Sequence, residues 1–496
     1  MSDVSPQENT RRWKALAVCL VAGFMALLDV SIVNVALPSI REGLQTSESE
    51  LQWVLSGYAL SFGLCLVPAG RLGDARGRRR VFMAGLALFT VASAGCGAAL
   101  SSMWLIVARL VQGLGGGLMS PQISALIQQM FRGQERGRAF GMFGTVVGVS
   151  TAVGPLLGGL LIQVAGASEG WRWVFYVNLP IGIVCLVLAR RLLPDTPSAA
   201  GAPHTQSLDP VGVVLLGGTV VAVLLPFVQS QQWRGDAKWL LLVVAAALAA
   251  VFVKWESHCS RRTTVPLVDL TLFRIRSYWL GCLLILFHFA GFTSIFFVTT
   301  LYLQSGLDYT ALEAGLAITP FALGSGASAG LGGRHVLRYG RPLVAWGLAL
   351  TAVGLAGAIG TAHAVPGRET GWFLTVPLLV AGVGSGLVIS PNQTLTLSQV
   401  PVARGGSAGG VLQTGQRIGA AVGIAGVGSI FFSRLNAGNG SPGSWAGAYQ
   451  HGLVLSVAFV LVALAAALAD VWTGRREEGR GTKQSLRRGI LRRLPR

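Results

Sequence analysis

Asp29 stands in the stretch MALLDVSIVNVALP, preceded by about fifteen apolar-rich residues. If that stretch crosses a bilayer, an ionised carboxylate there costs on the order of 2.5–3.5 kcal/mol. Burial favours the neutral acid and a nearby cation favours the carboxylate. A group held between those influences can take or lose a proton as solvent access changes, which is proton-carrier chemistry. Arg109 in LIVARLVQGLGGGL is the available countercharge, and Gln112 and Gly113 lie one turn further along the same side. Arginine keeps its proton under burial, so it biases an acid without titrating itself. The plainer alternatives are a structural ion pair and an arginine whose head reaches the membrane surface. At 100° per residue Asp29 shares a helix face with Met25, Ile32, Val33 and Ala36, while Asn34 lies about 140° away. Asn34, Tyr58, Gln112, Asn392 and Gln413 are the polar residues expected to line a small-molecule site.

A second constellation is GRLGDARGRRR at 70–80. Gly70, Gly73 and Gly77 permit sharp backbone paths. Asp74 among five arginines can hydrogen-bond a neighbouring helix N-terminus or pair with an arginine in one conformation only. Such a group is a conformational latch. A third, STAVGPLLGGLL, supplies Gly154, Pro155, Gly158 and Gly159, a kinked and closely packed helix. Other chemistry is missing. The glycines at 113–117 contain G-x-G without a βαβ unit around them, and there is no P-loop. The six cysteines form no CxxC pair and five fall in apolar stretches, so neither a redox nor a metal framework is expected. With no nucleophile–base pair either, no enzyme and no cofactor are expected. His288 reads as a hydrogen-bonded structural residue and Arg417 as a polar group within a span. Glu313 and Asp470 lie near span ends.

The elements that must position these residues follow from composition. In 496 residues 52% are hydrophobic and 12% charged, whereas a soluble surface needs roughly a quarter charged residues. Stretches of about 20 apolar residues cross a bilayer, and fourteen occur, from 13–37 to 450–472. The fold class is therefore all-α and polytopic. Net charge is +19, which taken alone suits nucleic acid. With the N-terminus cytoplasmic, however, 31 of the 39 Lys and Arg fall in inside segments and 6 outside, as the positive-inside rule demands. The charge marks orientation, with both termini cytoplasmic, and nucleic acid is not an expected partner. The first span is too long for a signal peptide and lacks its cleavage site.

The chain also repeats itself. GRLGDARGR at 70–78 matches GRHVLRYGR at 333–341, and GLGGGLMSP at 113–121 matches GVGSGLVISP at 382–391, at offsets of 263 and 269. The first six spans thereby correspond to the last six, a parallel repeat with a substrate cleft between two bundles. The expected division is a bundle at 1–193, a linker with two extra spans at 194–260, a second bundle at 261–472 and a basic tail at 473–496. An interfacial helix is expected around VPLVDLTLF. The tail is expected to touch anionic lipid.

These residues resemble the major facilitator superfamily, specifically its fourteen-helix drug:proton antiporter branch. Gly70, Leu72, Asp74, Gly77, Arg78 and Arg79 match its loop signature, with Ala75 departing from the usual basic residue. LDVSIVNVALP at 28–38, RLVQG at 109–113 and WRWVFYVNLP at 171–180 are similar to further signatures. The string from Gly154 is similar to the antiporter motif, with Ser150 in place of its first glycine. The resemblance implies two six-helix bundles plus two inserted helices, in a bacterial cell membrane, acting as a monomer. It implies alternating access, with proton influx through Asp29 and Arg109 driving export of a drug, antibiotic or other hydrophobic molecule. A proton-coupled uptake symporter and a membrane sensor without transport are the alternatives. In the second copy Leu337 stands where Asp74 stands in the first, so the latch is expected to be one-sided.

Overall fold

A computed structural model describes residues 6–166, 169–194, 209–228, 233, 235–261, 266–365, 367–437 and 442–491. In a bilayer each backbone N–H and C=O needs a partner within its own segment, which leaves the helix as the element for apolar stretches of this length. Among the described residues fourteen membrane-length helical spans result. They are α1 (Pro6–Leu44), α2 (Ser49–Arg76), α3 (Arg78–Gly97), α4 (Ser102–Met130), α5 (Gly133–Ala165), α6 (Gly170–Leu192), α7 (Pro210–Phe227) and α8 (Ala237–Arg261). They continue with α9 (Arg276–Gly306), α10 (Leu312–Tyr339), α11 (Arg341–Ala364), α12 (Thr370–Thr396), α13 (Val402–Ala437) and α14 (Gly443–Thr473). Local sequence fixes their ends. Ser47 and Glu50 form a capping box at the start of α2, and Thr310 and Glu313 form another at the start of α10. The two boxes are 263 residues apart, the same offset as the repeated loop, so the duplication extends to helix caps worth about 1 kcal/mol each.

Helices α1–α6 enclose apolar clusters around Phe82, Phe89, Phe140 and Trp171. Helices α9–α14 enclose their own around Phe321, Tyr302, Phe431 and Tyr449. The two groups meet mainly through α5 against α10 and α2 against α13. Those crossings depend on glycine. A Cβ on Gly137 would lie 2.4 Å from the Gly333 carbonyl oxygen, and one on Gly70 would lie 2.2 Å from that of Gly406. Only hydrogen side chains let the backbones come this close.

Helices α7 and α8 pack on each other, and α7 also leans on α2 and α13 through Val220 and Leu224 beside Leu60. Residues 270–274 form a single 3-10 turn rather than the interfacial helix expected there. Leu267, Val268 and Leu272 are buried, and Leu267 and Val268 share a cluster with Val67 and Phe252, so the protein interior takes the apolar side chains an interfacial helix would give to lipid. The linker at 195–208 lies outside the described residues. For the basic tail, the described structure is a helical backbone to Leu491, and its expected lipid contact falls on side chains outside the described ones.

Candidate functional site

The fold brings Asp29 and Arg109 together from α1 and α4. Arg109 Nη1 donates to Asp29 Oδ2 at 2.6 Å, with 1% exposure for Arg109 and 0% for Asp29. Asp29 Oδ1 accepts from Gln112 Nε2 at 2.9 Å and from Asn178 Nδ2 at 3.1 Å. Arg109 also donates to the Val54 carbonyl and to Gln112 Oε1, at 3.1 and 2.7 Å. Its guanidinium lies 4.2 Å over the Tyr58 ring. Ser93 Oγ ties the cluster from below, accepting from Gln112 and Asn178 and donating to the Phe175 carbonyl. Removing one partner of a buried pair leaves an uncompensated charge, at a cost on the order of 3–5 kcal/mol.

Two of these groups are absent from the sequence reading. Asn178 lies in the WRWVFYVNLP segment, so the resemblance carried a signal for it. Ser93 carries none, being one small hydroxyl in an alanine-rich helix. Gln112, expected to face a substrate, belongs instead to this buried cluster. Tyr58 is 3% exposed and is covered by Arg109.

A cavity occupies the opposite side of α1 from Asp29. Its inner part has a volume of about 250 Å³ and is walled by Leu27, Val30, Phe62, Phe289, Gln413 and Arg417, among others. A second part of about 320 Å³ runs toward Pro38 on α1 and Gly315 on α10. The two share Ser31, Asn34, Thr151 and Phe296 in their walls. The helical wheel explains the arrangement, since the 140° between Asp29 and Asn34 sends one into the bundle and the other into the cavity. Gln413 also lines the cavity, and its amide reaches Ser120 O and Ser124 Oγ of α4 at 3.3 Å each. Asn392 is held elsewhere, accepting from Arg341 at 2.7 Å and donating to the Gly281 carbonyl at 3.0 Å.

The α5 string packs against α1 beside the cavity. Ser31, two residues past Asp29, donates to the Ser150 carbonyl at 3.1 Å. A Cβ on Gly154 would lie 1.9 Å from Ser31 Oγ, and one on Gly158 would lie 2.9 Å from Ile32 Cγ1. Pro155 faces the cavity. Gly159 has nothing within 4 Å of the corresponding position. The string is thus divided. Gly154→Val is expected to force α5 off α1 and reduce transport at least tenfold. Gly159→Ala is expected to leave transport within twofold of wild type, while gaining up to about 1 kcal/mol of helix propensity. Substrate transport rates of the two variants in reconstituted vesicles, beside their melting temperatures, check both outcomes.

At the face that carries the chain's N-terminus, Asp74 links the bundles. Its Oδ1 accepts from Arg78 at 2.9 Å and from the Gly406 backbone N–H at 3.0 Å. Its Oδ2 accepts from the Ser407 N–H at 2.9 Å and from the Ser407 hydroxyl at 3.3 Å. Gly405–Ala437 is the α-helical part of α13, so Asp74 caps a helix N-terminus in the other bundle, where a negative charge is favoured. Arg78 adds bonds to the carbonyls of Ala125 and Val402. Gly77, at φ +100°, makes the turn that brings Arg78 back beside Asp74. In the repeat Leu337 is half exposed to the surroundings. Arg341, the counterpart of Arg78, instead pairs with Asp470 of α14 at 2.5 Å, and Arg276 pairs with the same acid at 3.1 Å. That acid joins helices within one bundle and does not bridge the two. Among the described residues no group of His, Cys, Asp and Glu is placed to hold a metal.

Two six-helix bundles around a central cavity, pinned at one face and holding a buried ion pair, define a membrane transporter. The chain belongs to the Major Facilitator Superfamily, whose sequence profile matches residues 19–424. It is 37% identical over 433 residues to a probable actinorhodin transporter of Streptomyces coelicolor, covering 87% of this chain and 74% of that one. It is 35% identical over 443 residues to a tetracenomycin C resistance and export protein of Streptomyces glaucescens, covering 88% and 78%. Its fold matches that of the proton:xylose symporter XylE with a TM-score of 0.65 at 16% identity, over 91% of this chain and 95% of that one. The family and fold are those of transporters, not of enzymes.

Proposed function

We propose that this chain is a proton-coupled antiporter that exports a drug, an antibiotic or another hydrophobic small molecule by alternating access. The observation that carries the reading is the placement of the Asp29–Arg109 pair. It is fully buried, yet α1 alone separates it from the cavity, so a change at the pair moves a cavity wall. The relatives named for actinorhodin transport and for tetracenomycin C export support the substrate side. The excess of Lys and Arg on one side supports a cell-membrane orientation with both termini cytoplasmic. In that orientation the latch closes the cytoplasmic side and the cavity runs toward the outside, an outward-facing arrangement.

Proton entry to Asp29 from outside would remove the charge that holds Arg109. Gln112, Asn178 and Ser93 would then repack, and α1 would shift against Gly154 and Gly158 of α5. Return of the proton to the cytoplasm would re-form the pair around a fresh substrate. Because Asp29 does not face the cavity, the proton and the substrate communicate through helix position rather than by competing for one carboxylate. The test is the direction of flux. Everted membrane vesicles with an acidic lumen are expected to accumulate a compound to which expressing cells are resistant, and to stop when the pH gradient is collapsed. Accumulation only in right-side-out vesicles with an acidic exterior would establish uptake by symport instead.

A further inference from the structure

Arg417, half-buried, differs from the other arginines inside the bundles. Arg109 meets Asp29, Arg78 meets Asp74 and Arg341 meets Asp470. Arg417 lines the cavity, and among the described residues no carboxylate and no hydrogen-bond acceptor pairs with it. Its guanidinium carbon lies 4.3 Å from the Phe62 ring centroid, a contact that holds its position without using its N–H donors. Among the described residues no other one in the walls of either cavity part carries a charge. A half-buried cation beside an apolar space, with no internal counter-ion, is complementary to an anion brought from outside.

The α9 wall of the same cavity says what that anion is attached to. Phe289, Phe292 and Phe296 follow one face of α9, with successive ring centroids 5.4 and 5.2 Å apart, and all three line the inner cavity. A row of rings in edge and tilted arrangements suits a planar aromatic body. Gln393, also in the wall, has a buried side-chain oxygen without a hydrogen-bond partner and offers an acceptor to a ring hydroxyl. We propose that the cavity selects aromatic acids, the ring system lying along Phe289, Phe292 and Phe296 and the carboxylate or phenolate meeting Arg417. This deepens the export reading, on which its physiological meaning rests, by naming a substrate class. It also says that cationic drugs are poor substrates.

Binding to the purified full-length protein in detergent tests the class without requiring transport. The probes are anthraquinone-2-carboxylate, its uncharged carboxamide, 2-(aminomethyl)anthraquinone and dodecanoate. The carboxylate is expected to bind at least tenfold more tightly than the carboxamide, and the amine least tightly. Dodecanoate, which has the anion without the rings, is expected to bind at least tenfold more weakly than the aromatic acid, separating this class from a lipid-derived carboxylate. Arg417→Gln is expected to bring acid and amide to equal affinity, and its continued binding of the amide certifies the fold. Arg417→Lys is expected to keep part of the preference. Equal wild-type affinity for acid and amide, or for dodecanoate and the aromatic acid, overturns the proposal. If the glutamine variant fails to bind the amide, the wild-type comparison and the lysine variant decide. Retained acid preference with no vesicle transport would instead overturn the export reading and leave the class standing.

Discussion

Asp29→Asn is expected to abolish substrate-driven proton movement while leaving substrate counterflow measurable. The substitution keeps the side chain's shape but removes its charge and its ability to titrate. One of the two carboxylate oxygens becomes an amide donor. It then faces either Arg109, which donates at 2.6 Å in the native protein, or Gln112 and Asn178, which donate at 2.9 and 3.1 Å. Arg109 loses its carboxylate yet keeps the Val54 carbonyl, Gln112 Oε1 and the Tyr58 ring. The loss therefore falls below the 3–5 kcal/mol typical of a stranded buried charge, and the protein should still assemble. Counterflow needs only the bundles to rock around bound substrate, whereas coupled exchange needs a group that carries the proton. With a pH-sensitive dye inside proteoliposomes, initial proton flux on substrate addition is expected to fall below about one tenth of wild type, the scale of a 1.4 kcal/mol loss or more. Counterflow of labelled substrate is expected to stay within about threefold. Full coupled exchange in the variant would remove Asp29 from the mechanism.

That Asp29 and Arg109 could be named from sequence has a physical reason. Charge inside an apolar stretch is costly, so each one stands out against its surroundings. The helices themselves are legible for the related reason that the bilayer permits few other structures. Ser93 and Asn178 hold the same cluster, but small polar residues are common in membrane helices and only the packing shows which ones converge. Asp470 illustrates a different limit. Its position near the end of a span says how deep it lies and nothing about which neighbours meet it, so its pairing with Arg341 and Arg276 emerges only when α9, α11 and α14 are placed together. The same holds for Arg417. A sequence shows a charge in a span, but the lack of an opposite charge around it is a property of the assembled helices. On residue type alone Gln112 and Asn392 look like cavity polar groups, and the fold uses both inside hydrogen-bonded clusters. The polar side of α1 shows where reasoning from angle succeeds, because the 140° between Asp29 and Asn34 survives intact as two different environments.

Asp74→Asn is expected to open the latch and shift the protein toward the state closed on the opposite face. Asp74 is the one acid of the repeated loop, and its five hydrogen bonds reach across to Gly406 and Ser407 as well as to Arg78. An asparagine keeps one acceptor. The other oxygen becomes an NH₂ group that faces backbone N–H donors, or Arg78 if the amide is turned round, so at least one donor pair is set against another. Hydrogen bonds to a charged group contribute about 1.5–3 kcal/mol each, and the favourable charge at the helix N-terminus is lost with them. Net loss of one such bond changes the ratio of the two states by between about tenfold and a hundredfold. The second half cannot compensate, because Leu337 occupies the equivalent position and Arg341 is already committed to Asp470 within its own bundle. The first-turn amides of α13 report the change directly, since Asp74 protects Gly406 and Ser407 in the closed latch. Hydrogen exchange in a peptide spanning 402–412 is expected to accelerate at least tenfold in the variant, while a peptide from the core of α4 exchanges as in wild type. Unchanged exchange at 402–412 would mean that the glycine crossings at Gly70–Gly406 and Gly137–Gly333 hold the bundles together without the acid, and that Asp74 does not set the conformational balance.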